Sequence, residues 1–532
     1  MWFDPLVSGA ILDPAKLRQG RGAVVCLWCE AVSTSPTSID PRTPVIVGVG
    51  QFLNRTSSLD EAREPAALIE EAVRAAAADA GLSGPPPADV LRVVRQYSWR
   101  YGNLPRVVAE RLGIDPRLQY TTDGGNTPQS LVNRTAQEIL RGDVDIAILA
   151  GGESFRTRMR ARREGVELDW PADESGDEPE QIGGELNMIS DAEQARSIGM
   201  PVQVYPMFET ALRAASGRTV EQHQAFLGTL WSSLSEVAAR NPYAWIQETK
   251  TPAEVTEVSE RNRMIGLPYP KLMNSNNDVD MAAAVIMCSA QSAQDLGVPH
   301  DRWVFPHSGA DCHEHTFVSV RDRFDRTPAI EIGGAEALRL AGIGIDEVSV
   351  IDLYSCFPSA VQLGAASLGI DLTDPERQWS RTGGLSFAGG PWNNYVMHAI
   401  ATVVGDLRER PGERGLVWGN GGLATKHSFG VYSTEPPLAP FRHSEPQDEI
   451  DALPQRSLAT PSEAAGAATI EAYTVMFDRD GRPERSIAAC LLDDGRRAWG
   501  ASTSSEMTTA MCVGEWVGRD VELDSAGDLH AI

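Results

Sequence analysis

Few of the 532 residues combine a reactive side chain with a setting that would activate it. The strongest setting is Tyr354-Ser355-Cys356-Phe357, which runs straight into Pro358. Proline suits the first turn of a helix, so Cys356 stands where free backbone N–H groups favour a thiolate. Free cysteine is also among the most buried residue types, so a packed thiol is the competing reading. Tyr354 adds a phenol two residues earlier. Lys426 and His427 are adjacent and titratable, with nothing in the sequence to fix their direction. His398 falls in a helical pattern, the setting of a packed histidine. Cys312-His313-Glu314-His315 has the composition of a metal cluster. Side chains alternate along a strand, however, so four consecutive residues do not converge from one, and no metal is expected. Cys26 and Cys29 form one CxxC without a second pair or nearby histidine, and no metal or redox site is expected there either.

The elements that position such groups are clearest over 121–153, TTDGGNTPQSLVNRTAQEILRGDVDIAILAGGE. Gly124-Gly125 is a turn. Asn126 or Thr127 before Pro128 is a helix start whose side-chain oxygen caps free amides. Leu131, Val132, Ala136, Ile139 and Leu140 recur at helical spacing, and Gly142 ends the helix. Residues 144–150 are apolar except for Asp145, as in a strand buried on both faces, and Gly151-Gly152 closes it. A helix N-terminus thus lies beside a glycine-rich strand end, which suits an anion or a thiolate.

Around this stretch, 45–50 and 90–97 read as strands, and 65–80 and 104–112 as helices. Such alternation implies a mostly parallel sheet covered on both sides. From 154 to 277 the pattern loosens: 164–182 is an acidic solvated loop, and 205–215 and 220–239 are helical. A second series follows, with strand 348–353, helix 358–368, a helix capped by Asn393 or Asn394, and two strands around a glycine turn in 415–433. Prolines after 435 make a linker. The remainder alternates at period two, with Asp480-Gly481 and Asp494-Gly495 as hairpin turns.

These motifs resemble the thiolase superfamily, in which a nucleophilic cysteine opens the glycine-turn helix and an Ala-Gly-Gly run ends the next strand, as Ala150-Gly151-Gly152 does here. The nucleophile position falls on Gly125 or Asn126, and no cysteine occurs between Cys29 and Cys288. Gly389-Gly390-Pro391, following Gly383-Gly384 at the family spacing, corresponds to Gly-His-Pro, with Gly390 at the histidine. Trp418 to Asn420, ahead of Gly421-Gly422, corresponds to Cys-x-Gly, with Trp418 at the second cysteine. Tyr354-Ser355-Cys356-Phe357 corresponds to His-Asp-Cys-Phe. Residues 278–290 resemble the family's Asp-Gly-Ala-Ala-Ala strand, with Met281 at the usual glycine. Asn241-Pro242-Tyr243-Ala244 and Leu267-Pro268 resemble the loop domain of the sterol carrier protein X-type branch, which contacts coenzyme A. The resemblance is closest to thiolase-like protein type 1, a group named with the acetyl-CoA acetyltransferases.

The resemblance implies an α/β chain: a duplicated five-layered α-β-α-β-α thiolase fold with an inserted loop domain and a C-terminal antiparallel β-barrel of oligonucleotide/oligosaccharide-binding-fold type. The expected boundaries are an extension over 1–40, a thiolase N-terminal half over 41–153 and 278–300, the loop domain over 154–277, a C-terminal half over 301–434, a linker over 435–454 and the barrel over 455–532. A coenzyme A thioester is the implied ligand, near Gly389, Asn420, Gly421 and Gly422, with no permanently bound cofactor. Three functions follow as expectations. The first is thioester binding in lipid or sterol metabolism without the usual Cys/His/Cys set. The second is a carbon–carbon lyase of retro-aldolase type, or an acyltransferase, using Tyr354 or Cys356. The third is non-catalytic partner binding.

Composition narrows the partners. A formal net charge of -26 repels phosphate backbones. From Glu463 onward, 13 Asp/Glu against 6 Arg leave 13 − 6 = 7 negative charges, so the barrel lacks an electrostatic basis for nucleic acid. Seven scattered cysteines suit a reducing cytoplasm, and no run of about 18 apolar residues would span a membrane. The N-terminus has no basic lead-in and reads as a poor signal peptide. A monomer or a thiolase-type homodimer is expected.

Overall fold

The apolar strands recognised in the sequence assemble two sheets with helices between and outside them. The structure is a computed structural model that describes residues 39–171, 176–460 and 463–532. Cys26, Cys29 and all but the last two residues of the expected 1–40 extension lie outside the described residues. The first sheet runs in the order Pro44–Leu53, Asp280–Ser289, Ile146–Ser154, Val90–Val93, Arg117–Thr121 and Glu180–Ile182. Its last four strands are parallel, and Asp280–Ser289 is antiparallel to both its neighbours. The second sheet runs Val350–Leu353, Arg414–Gly421, Lys426–Ser433, Phe305–His313 and Arg442–Ser444. Helices Thr127–Arg141 and Tyr395–Glu409 fill the space between the sheets. Pro65–Asp79 covers the outer face of the first sheet, and Pro328–Ala341 and Pro358–Leu368 that of the second. This is the five-layered α-β-α-β-α arrangement.

Several expected elements change length for local reasons. The strand expected over 90–97 stops at Val93, because side chains take over its hydrogen bonding: Arg95 N–H donates to Thr121 Oγ1 (3.0 Å) and Gln96 N–H to the Tyr120 hydroxyl (3.0 Å). The helix expected over 205–215 starts earlier, at Pro201, and carries Pro206 inside its first turns. The expected solvated loop over 164–182 instead ends in Glu180–Ile182, which pairs in parallel with Arg117–Thr121 and covers the edge of the first sheet. Within the expected linker, Arg442–Ser444 adds a strand to the second sheet and Gln447–Asp451 forms a short helix.

The C-terminal region is an antiparallel sheet ordered Arg497–Ser502, Pro483–Leu492, Gly466–Phe477, Asp520–Leu523 and Leu529–Ala531. A bridge between Ala501 and Asp528 brings its two ends together. The inserted region contributes a strand to the same sheet, Met264–Gly266, through Met476 and Gly266. Ala472, Ile487, Ala489 and Trp499 belong to the same apolar core as the two main sheets.

Candidate functional site

Glycines set the geometry. Helix Thr127–Arg141 lies against the face of Arg414–Gly421 that carries Gly419 and Gly421. A Cβ on Gly421 would fall 2.7 Å from Asn126 Oδ1 and 3.0 Å from Gly125 N; one on Gly419 would fall 3.0 Å from Asn126 Cα. Contacts this short exclude any larger residue. The helix start is therefore pressed onto the strand, and Asn126 does not cap it. Its Nδ2 donates to Ser130 Oγ (3.3 Å), and its Oδ1 is buried with no partner among the described residues. Gly124 N–H donates to Asn393 Oδ1 (3.1 Å). Among the described residues, no hydrogen bond is donated by the N–H of Gly125 or Asn126. Two backbone donors at the positive end of a 15-residue helix are thus available to an oxygen with negative character.

The space that a side chain at position 125 would occupy is filled from the opposite half of the fold. A Cβ on Gly125 would lie 2.6 Å from the Tyr354 hydroxyl and 2.5 Å from the Asn420 carbonyl oxygen. Tyr354 is held edge-on by Tyr395 (centroids 5.5 Å, 88°). The Tyr395 hydroxyl donates to buried Asp352 (3.0 Å), which also accepts from Arg381 N–H (2.8 Å) and Thr382 N–H (3.1 Å). Asn394, expected as a helix cap, instead donates to the Gly151 carbonyl (2.6 Å), tying the Tyr395–Glu409 helix to the Gly151-Gly152 strand end.

Burial decides protonation here. It pushes the Tyr354 phenol well above its ordinary value, and it pushes the Cys356 thiol up to about 12 despite a hydrogen bond from Tyr205. Desolvation outweighs the helix start, which favours the packed-thiol reading of Cys356 over the activated thiolate. Tyr205, which carried no sequence signal, accepts from Asn420 Nδ2 (2.9 Å) and Ala424 N–H (2.9 Å) and stacks on Phe357 (4.7 Å). The centre of the fold thus holds two neutral phenols and a neutral thiol.

The other sequence candidates scatter around this centre. Gly390 is in place: a Cβ there would be 3.3 Å from Asn277 Oδ1 and 3.4 Å from Ser275 Cβ. Gly389 adopts φ +111° against Met281 Sδ. Gly422, with φ +69°, abuts Met188 Sδ. Trp418 does not reach Asn126. Strand alternation turns its ring to the other face, onto Gly364, and its Nε1 is buried without a partner among the described residues. Lys426 donates to the Asp123 carbonyl beside the Gly124 turn. Burial lowers His427 to about 3, and it tilts against Trp418. His398, lowered by burial to about 3, meets Gln51 (2.8 Å). Of the Cys312-His313-Glu314-His315 run, the thiol donates to the Ala329 carbonyl, while Glu314 accepts from the N–H groups of His315 and Ala329. No group of three His, Cys, Asp or Glu side chains among the described residues is arranged to hold a metal ion. No described helix is long and apolar enough to cross a membrane.

The duplicated five-layered body, with a central helix whose glycine turn faces the 354–357 segment, defines a thiolase-fold protein. The family model for the thiolase-like protein type 1 additional C-terminal domain matches residues 445–528. The chain is similar to a monomeric SCP2-thiolase-like protein type 1 from Mycobacterium smegmatis, at 33% identity over 93% of this chain and 100% of that one, with a TM-score of 0.79. It belongs to the SCP2-thiolase-like protein type 1 family. Its fold is shared by an Ltp2–ChsH2(DUF35) aldolase (19% identity, 75% of this chain and 100% of that one, TM-score 0.58). It is also shared by the dimeric peroxisomal thiolase of Saccharomyces cerevisiae (14% identity, 74% and 98%, TM-score 0.52). No curated protein matches significantly.

Proposed function

We propose that the chain binds an acyl thioester of coenzyme A type at the Gly125–Asn126 turn and holds its carbonyl oxygen on the Tyr354 hydroxyl, without the covalent acyl transfer of an ordinary thiolase. The observation that carries this reading is the Tyr354 hydroxyl standing where a side chain at 125 would begin. A neutral phenol beside two free N–H groups is a donor set for a polarised carbonyl, not a nucleophile. Gly390 has no side chain to act as base, and the Cys356 thiol stays protonated. This reading is in keeping with lipid or sterol metabolism in the cytoplasm and with no resident cofactor. A monomer is favoured by the strand Glu180–Ile182 over the sheet edge and by the monomeric relative.

Calorimetry with butyryl-CoA tests the proposal. Binding is expected, and Tyr354→Phe should weaken it about tenfold, the worth of one buried hydrogen bond. Acetoacetyl-CoA thiolysis at ordinary thiolase rates, indifferent to Tyr354→Phe and abolished by Cys356→Ser, would sink it. The same donor set also favours a second reading, retro-aldol cleavage of a β-hydroxyacyl thioester. There Tyr354 would stabilise the enolate oxygen while a bound water takes the hydroxyl proton. It predicts release of a free aldehyde or ketone from β-hydroxyacyl-CoA that is lost in Tyr354→Phe.

A further inference from the structure

Lysine is scarce in this chain. Of its 47 lysines and arginines only Lys16, Lys250, Lys271 and Lys426 are lysines. Lys250 pairs with Glu248 (2.7 Å), and Lys271 is exposed. Lys426 is 8% exposed and forms no ion pair among the described residues; its Nζ donates to the backbone carbonyl of Asp123. The Asp123 carboxylate pairs instead with Arg95 (3.2 Å), which also reaches Glu185 (3.4 Å). The other lysine or arginine side chains buried among the described residues are Arg92, Arg213, Arg321 and Arg497. Arginine is thus what this chain buries where charge alone is wanted. A guanidinium keeps its proton, whereas a buried amine gives its proton up, and the neutral amine attacks carbonyl carbon. Burial lowers the Lys426 ammonium below its ordinary value, against the opposing pull of Asp123 and Glu185.

The amine lines a cavity of about 430 Å³. A Cβ on Gly124 would stand 3.4 Å from Lys426 Nζ and 3.1 Å from Thr127 Oγ1, so the amine and this hydroxyl flank one point. Ser130 lines the same cavity; its hydroxyl donates to Asp311, which is also bonded by His443 Nε2 (2.7 Å). His427, fully buried, lines it too, with neither ring nitrogen partnered among the described residues. The wall therefore combines an amine with groups that pass protons. Asp123, Asp311 and Glu445 add carboxylates, so a ligand bearing its own carboxylate is repelled and a neutral one is admitted.

We propose that Lys426 condenses with a small neutral aldehyde or ketone held in this cavity. The neutral Nζ adds to the carbonyl carbon, the C=O π pair moves to oxygen, and that oxygen takes up a proton as the nitrogen loses one. The resulting carbinolamine then expels water: its C–O bond breaks, the departing hydroxyl takes a proton, and the nitrogen gives up its remaining one. A C=N bond to Nζ is left. Thr127 and the Ser130–Asp311–His443 chain carry the protons between nitrogen and oxygen. The site uses an amine that the thioester reading leaves idle, and it does not depend on that reading.

Reductive trapping in the full chain tests it, with the other lysines as internal references. Propanal with cyanoborohydride near neutral pH should propylate Lys426 at least about tenfold faster than Lys250 or Lys271, read by peptide mass spectrometry, because a desolvated amine is more often neutral. The rate at Lys426 should saturate with propanal, as filling a cavity requires, while the rates at Lys250 and Lys271 stay linear. Unfolding the chain in urea should abolish the advantage. Pyruvate, which carries a carboxylate, should give Lys426 no such advantage. Equal or slower trapping at Lys426 overturns the proposal. So does a rate there that stays linear in propanal, an advantage that survives urea, or an equal advantage with pyruvate. Binding of butyryl-CoA is measured separately, so each of these results leaves the Tyr354 site standing.

Discussion

At Gly125 the missing side chain is supplied by a neighbour, and this makes the position intolerant in a way Gly390 is not. A methyl at 125 meets the Asn420 carbonyl at 2.5 Å and the Tyr354 hydroxyl at 2.6 Å, whereas at 390 its nearest contact is 3.3 Å. Gly125→Ala should cost about 1–3 kcal/mol in urea unfolding, and Gly390→Ala well under that. Tyr354→Leu should recover part of the Gly125 penalty, since the two sites are in contact and should not add. Equal penalties at 125 and 390 would mean that the hydroxyl does not fill the nucleophile's place. A second prediction concerns Glu153 at the glycine-rich strand end. Burial pushes its carboxyl from 4.5 up to about 7, although Tyr97 and Ser98 N–H groups donate to it (2.8 and 2.9 Å). The folded state keeps this proton after the unfolded chain has lost it, so Glu153 removes stability as pH rises from about 4.5 to 7. The melting temperature of Glu153→Gln relative to wild type should therefore climb between pH 5 and pH 8, on top of any constant offset from the altered hydrogen bonds. A flat difference would return the carboxyl to an ordinary value. The sequence shows Gly125 or Asn126 and Gly390 where the resemblance implies a cysteine and a histidine, because an absent side chain is visible there. It did not show that Tyr354 refills the gap or that Cys356 is desolvated, because both depend on contacts between residues distant in the chain, Gly125 with Tyr354 and Tyr205 with Cys356.

Elements with their own periodicity were legible, and elements made by pairing were not. The helices Leu104–Leu112 and Pro358–Leu368 match their expected bounds, each with proline in the first turn and glycine after the last. Glu180–Ile182 reads as three residues of an acidic loop, and only the unpaired edge of Arg117–Thr121 makes it a strand. Arg442–Ser444 is likewise defined by its neighbour, Phe305–His313. The edge strand carries a prediction of its own. An uncovered edge offers a row of backbone donors and acceptors to another chain. Ile182 is buried, and its carbonyl accepts from Thr122 N–H (3.0 Å). Ile182→Asp should undock the strand and raise the mass in light scattering above that of the wild type, toward larger species. A variant that stays at the wild-type mass would deny Glu180–Ile182 its covering role.

In the whole molecule, the C-terminal barrel is a structural clamp on the thiolase body, and Arg497 shows how. Its side chain is fully buried. It pairs with Glu471 (2.7 Å) inside the barrel and donates to the carbonyls of Ser319 (2.7 Å) and Arg321 (2.5 Å) in the body. Trp499 Nε1 donates to Ser319 Oγ (2.9 Å). The Thr210 hydroxyl, on the Pro201–Ser216 helix that carries Tyr205 to the site, bonds both the N–H (3.0 Å) and the carbonyl (2.9 Å) of Tyr473. The barrel therefore holds the element that orders the site centre and cannot swing as a lid without breaking buried polar contacts. Arg497→Met leaves Glu471 without its charge partner and two carbonyls without donors, and should cost about 3–5 kcal/mol. Because Ala472, Ile487, Ala489 and Trp499 pack into the core of the body, while the opposite face of the barrel sheet keeps an apolar cluster of its own, the loss should appear as a single cooperative transition at lower temperature in calorimetric unfolding, with the proposed thioester binding lost in step. An early, separate barrel transition that left the body's own transition unchanged would show an autonomous appendage, and the clamp would have to be abandoned.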